Sequence, residues 1–179
     1  MSFEIEDADR SGSKMFIQLS GLSGCGKTLS ALLMARGMVG KEGKIGFIDT
    51  EQKRASLYAD KAGGFKVINM EAPFSPERYM EAVNVFKDAG YDCVIIDSMS
   101  HEWEGVGGII DMADSQTYGS GKPMQGMSKW NVPKLKHKRM MNHLMQCGMH
   151  IIGCYRAKIP LEEKEVRGKK VMVEGPMQI

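Results

Sequence analysis

Eight residues, Gly21 to Thr28, read GLSGCGKT and meet the spacing GxxxxGK[ST]. Each residue type in that pattern has a chemical reason. The glycines let the backbone turn tightly, so that successive N–H groups point at one phosphate. A helix beginning at the loop adds the positive end of its dipole. The Lys27 ammonium reaches the β- and γ-phosphates, and the Thr28 hydroxyl ligates Mg²⁺. The chain is therefore expected to bind a nucleoside triphosphate with Mg²⁺. The binding residues would be Gly21, Leu22, Ser23, Gly24, Cys25, Gly26, Lys27 and Thr28, with Leu29 just behind them. Cys25 reads as a small residue that fits a variable loop position.

Two further acidic positions complete a hydrolytic site. VIIDS, Val94 to Ser98, ends an apolar run with Asp97, about 70 residues after the loop. Phosphate-loop enzymes need such a carboxylate to hold Mg²⁺. A base must also orient or deprotonate the attacking water. FIDTE, Phe47 to Glu51, offers Glu51 at the end of another run, and Glu102, beside His101, competes for the role. In open α/β sheets ligands bind at the carboxyl ends of the strands, which is where Glu51 and Asp97 fall.

The elements that position these groups follow from the pattern of apolar runs. Strands are expected over 15–20 (MFIQLS), 44–50, 65–70, 92–98 and 149–155. Helices are expected over 27–39, 75–89 and 132–147, with a short one near GGIIDMAD. Ser75-Pro76-Glu77 is a good helix start, and Gly148 is a good stop. The near-continuous apolar strand 92–98 suits a parallel sheet covered on both faces. The alternation of strand and helix predicts an α/β phosphate-loop fold with a mostly parallel sheet. Residues 1–13 read as a flexible leader and 14–179 as one domain, ending in a charged hairpin or loop.

The chain has 179 residues, a net charge of +2 and four cysteines, none spaced as CxxC. That balance excludes a polybasic protein, though not a basic patch. Cys93, Cys147 and Cys154 read as small core residues, and a reducing cytoplasmic setting is expected. No run approaches the ~18 apolar residues of a membrane helix, so no membrane partner is expected.

GLSGCGKT, FIDTE and VIIDS, in that order, resemble the RecA superfamily of strand-exchange ATPases. The resemblance covers roughly residues 14–160 and implies ATP as the nucleotide. It implies Glu51 as the catalytic base and Tyr58, in FIDTEQKRASLYA, as the ring stacked on adenine. DSMSHEWEG is similar to a narrower group, the short phage-encoded RecA-like ATPases associated with single-strand annealing and recombination. The family carries a polar sensor, often Gln or Asn, where this chain has GCYRAK, so Arg156 or Lys158 would serve. The family's oligomerisation module is missing or reduced to residues 1–13, and members continue with further sheet past EGPMQI. A natural short form or a truncation is expected.

The same resemblance places DNA loops at 115–130 and 158–174. Lys129, Lys134, Lys136, Lys138 and Arg139 cluster around the start of helix 132–147, while Met140, Met141, Leu144 and Met145 fill its second half. The expected partner is single-stranded DNA at 115–140 and 158–174, gripped by a homo-oligomer. Basic clusters attract phosphate backbones by counterion release. Tyr118 and Trp130 would stack on bases, although packing is the commoner fate of such rings. Two other functions use the same loop: a small-molecule kinase, and a nucleotide-binding switch that does not hydrolyse. FIDTE argues against the kinase.

Overall fold

The computed structural model describes Asp7 and residues 12–158, 161–166 and 169–174. Most of the expected leader lies outside the described residues. Five parallel strands form one sheet: β1 (Phe16–Gly21), β2 (Ile45–Asp49), β3 (Lys66–Asn69), β4 (Cys93–Asp97) and β5 (His150–Arg156), in the order β1-β5-β4-β2-β3. β6 (Leu161–Val166) and β7 (Lys169–Glu174) make a separate antiparallel hairpin, as the charged C-terminal segment predicts.

Strand alternation divides the core in two. Cys93 and Ile95 of β4 face α1 (Lys27–Val39), joined by Ile45 and Phe47 of β2 and Ile152 and Cys154 of β5. Val94 and Ile96 face the opposite way, onto α2 (Pro76–Asp88) and α5 (Asn131–Gln146). All five residues of β4 are buried, as a parallel strand covered on both faces requires. Tyr79, Ala82, Val83 and Phe86 give α2 one apolar stripe at helical spacing. Gly46 in β2 makes room for it, since a Cβ there would sit 2.6 Å from the Phe86 ring.

α5 starts near Pro133 and stops before Gly148, whose φ of +81° suits glycine. Met140 and Leu144 are buried and Met141 packs beside them, but Met145 is 55% exposed. The helix turns Met145 outward because only the 140/144 stripe faces the sheet. α3 (Ser100–Glu104) and α4 (Ile109–Asp114) follow β4. No helix among the described residues is long and apolar enough to cross a membrane.

Candidate nucleotide site

Parallel register brings the chemistry to one edge. Asp49 pairs with Asp97, Asp97 with Cys154, and Gly21 with Arg156, so all lie at the C-terminal end of the sheet. β5 separates the loop strand from the Asp97 strand. At the usual strand spacing this leaves about 10 Å between them. Alternation then sets the face: Asp97 follows Cys93 and Ile95, and so points toward the start of α1. Thr28 Oγ1 donates to Asp97 Oδ2 at 2.6 Å. The two residues are 69 apart in sequence and become neighbours only through this topology.

The loop has the shape its glycines allow. Gly24 and Gly26 take φ of +80° and +90°, and a Cβ at either would meet no atom within 4 Å. Their open side is free for a ligand. Lys27 Nζ bends onto the carbonyl oxygens of Gly21 and Leu22 at 2.9 and 2.8 Å. Those carbonyls stand in for the phosphate oxygens that a lysine ammonium prefers.

A cavity of about 100 Å³ holds Ser23, Gly24, Gly26, Lys27, Thr28, Glu51, Tyr58, Asp97 and Arg156, together with Arg54 and Leu57. The structure thus brings the expected metal, base, stacking and sensor positions to one place. Gly21, Leu22, Cys25 and Leu29 shape the loop and the first helical turn without lining this cavity.

Glu51 sits between two guanidinium groups. Its Oε1 accepts from Arg156 Nε at 2.9 Å and contacts Arg156 Nη2 at 2.8 Å, while its Oε2 accepts from Arg54 Nη1 at 2.8 Å. The turn that presents it is bent by Gln52 and Lys53, at φ of +57° and +66°. Left-handed residues other than glycine cost of order 1–3 kcal/mol each and cluster at functional sites. Asp49, 2% exposed, organises that turn, accepting from the N–H of Glu51 at 2.6 Å and of Ala55 at 2.7 Å. Sequence reasoning missed Asp49 and Arg54. The signal for Asp49 was an acid two residues before Glu51, at the end of a buried strand.

Glu102 has a different place. It is 2% exposed, it lies within 3.0 Å of His137 Nδ1, and it is not in the wall of the nucleotide cavity. Of the two base candidates, Glu51 lines the nucleotide cavity and Glu102 does not. His101 faces Thr50 Oγ1 at 2.8 Å from its Nδ1 and does not line the nucleotide cavity. Lys158, the other sensor candidate, pairs with Glu104.

The fit to Mg²⁺ rests on Asp97. Burial pushes its carboxyl above the ordinary range, the Thr28 hydroxyl offsets this in part, and the Glu51 charge adds to it. A buried carboxylate beside a hydroxyl suits a hard cation, which takes its remaining oxygens from phosphates and water.

The basic segment is only partly free. Lys129 pairs with Asp114 at 2.6 Å and Lys136 with Glu77 at 2.8 Å. These acids come from other elements, so the run from 129 to 147 gave no sign of them. Trp103 and Trp130 stack, with centroids 6.2 Å apart and planes 12° from parallel. Tyr118 is 45% exposed. The side chains of the second candidate segment lie outside the described residues after Lys158.

A parallel sheet with a glycine-rich phosphate loop, an acidic strand end across one intervening strand and a lysine at the loop's helix defines a phosphate-loop ATPase-type protein. The chain belongs to the family described as an AAA domain, which matches residues 13–177. Among solved structures it is similar to a KaiC-like protein from the hyperthermophilic archaea Pyrococcus horikoshii OT3. The two share 14% identity over 93% of this chain and 80% of that one, at a TM-score of 0.45. No curated protein matches the chain.

Proposed function

We propose that this protein hydrolyses ATP with Mg²⁺ and couples hydrolysis to single-stranded DNA. The observation that carries the hydrolytic part is the 2.6 Å bond between Thr28 and Asp97, with Glu51 in the same cavity. Thr28 and Asp97 would hold Mg²⁺, which supplies charge neutralisation to the β- and γ-phosphates. Lys27 leaves the Gly21 and Leu22 carbonyls for the phosphate oxygens, which carry more charge. Tyr58 offers its ring to the base. Arg54 and Arg156 line the cavity and gain a better acceptor in the γ-phosphate than in Glu51. Their departure frees Glu51 to take the proton of the attacking water. Lys27→Ala is expected to weaken ATP binding at least about tenfold and to abolish phosphate release. Chelating Mg²⁺ is expected to stop turnover in the unaltered protein. Turnover that persists through both changes would exclude this site.

The DNA part is carried by a different observation. Lys129 and Lys134 lie over the Trp130 ring at 5.4 and 5.9 Å, so cations and an aromatic plate share one surface. Such a pairing suits single strands of any sequence. The similarity of DSMSHEWEG to the phage recombination group supports the same reading, in which the protein would act as a homo-oligomer in the cytoplasm. ATP turnover should rise on adding single-stranded DNA, most at low salt. Equal turnover with and without DNA across salt concentrations would remove the coupling.

A further inference from the structure

A second cavity, of about 430 Å³, lies where α3 and α4 meet α5 and the end of β5. Its volume falls in the range of small-ligand sites. Met99 and Ile110 give it an apolar floor, and Trp103, 38% exposed, gives it an aromatic wall. That indole is held in place, stacked on Trp130 on one side and met edge-on by His137 at 5.5 Å. A fixed aromatic plate is the surface on which a heteroaromatic ring stacks. Arg156 and Lys158 bring two cations to the wall. Glu104, which pairs with Lys158, brings a carboxylate that accepts from ring or amino N–H groups, while Glu102 is buried and bonded to His137.

These groups together select a ligand class. A purely apolar ligand would strip water from the Lys158–Glu104 and Arg156–Glu51 pairs at its wall and return nothing. A bare anion would leave Trp103 unused and would meet two carboxylates. A base joined to a phosphate satisfies the plate, the acceptors and the cations together. We infer that this cavity binds one nucleotide unit, its base against Trp103 and its phosphate at Arg156 and Lys158. The unit comes from a free mononucleotide or from one residue of a single strand; the second source rests on the DNA reading above.

The cavity communicates with the hydrolytic site through one residue. Arg156 lines both cavities, and its guanidinium is the group that holds Glu51 Oε1. Its backbone N–H donates to Ser100 Oγ at 2.8 Å, on the short helix that carries Trp103. A phosphate in the second cavity competes with Glu51 for that guanidinium.

The chain has only two tryptophans, and both belong to this stack, so intrinsic fluorescence reads the site directly. The test titrates thymidine monophosphate and a labelled oligothymidylate into the whole protein. It follows tryptophan emission together with anisotropy of the label. Saturable quenching by thymidine monophosphate is expected in the unaltered protein, in Trp130→Phe and in Lys27→Ala. Lys158→Ala, an exposed change checked for folding by circular dichroism, is expected to weaken it about tenfold. No saturable quenching by either probe overturns the proposal, and so does quenching that disappears in Lys27→Ala. An anisotropy rise without quenching of Trp103 overturns the cavity and leaves the DNA reading standing. Quenching by the mononucleotide with no anisotropy change supports the cavity, names the free nucleotide as its source and removes the DNA reading.

Discussion

Glu51 meets two arginines, and under the proposed hydrolysis that ion-pair cage would keep the base idle until substrate arrives. Each carboxylate oxygen is already held by a guanidinium, so a water must displace Arg54 or Arg156 to reach it. His101 lies one turn beyond Asp97. Burial, and then the Arg156 guanidinium, hold its imidazole below the usual range, with Nδ1 2.8 Å from Thr50 Oγ1. The unfolded chain then binds a proton that the folded chain refuses. Stability should fall as pH drops below the unfolded imidazole value of about 6.5. Urea unfolding at acidic and neutral pH is expected to show that slope, and His101→Gln to flatten it. At this scale the placement of the loop, Asp97 and Glu51 at one sheet edge was legible because each directly follows or closes an apolar run. Arg54 was not, because an exposed arginine in a loop looks like any solvated charge.

Elements were read where an apolar run was long and clearly bounded. The strands from β1 to β5 and helices α1, α2 and α5 fall within a residue or two of expectation. α3 was missed because it is only five residues long and buries Glu102 rather than an apolar side chain. The 3₁₀ turn Arg54–Tyr58 was missed because a single turn carries no periodicity. The Glu102 carboxylate ties α3 to α5 through His137, and that bond holds the imidazole above its usual range. Here the folded state binds the extra proton. This contribution is present below about pH 6.5 and is lost as pH rises through the folded value, the opposite sense to His101. His137→Gln should remove it, measured by the same unfolding series. A sharper test of packing is Gly46→Ala. The added methyl meets the Phe86 ring, and overpacking of this kind costs about 1–3 kcal/mol, read as a lower thermal midpoint.

The two faces of one sheet lead to the two cavities. The α1 face, extended past the strand ends, holds the phosphate loop with Asp97 and Glu51. The α5 face, with Tyr155 packed against it, leads to the larger cavity and the paired tryptophans. The strand order β1-β5-β4-β2-β3 could not be read from periodicity, which says which face a residue takes and nothing about which strand lies beside which. Only the motif order hinted at it, through resemblance. The ion pairs of Lys129 and Lys136 were hidden for the same reason, since their acids come from distant elements. With those two charges neutralised locally, DNA affinity should depend on salt less steeply than five free cations would give, and a plot of log affinity against log salt measures it. Under the proposed function, the edge shared by β1, β2, β4 and β5 hydrolyses ATP with Glu51 as base. Steady-state phosphate release from Mg·ATP by the unaltered protein and by Glu51→Gln, with ATP binding measured on both, tests this. Turnover is expected to fall about 10²–10⁴-fold with binding retained. Equal turnover by the two proteins would contradict it.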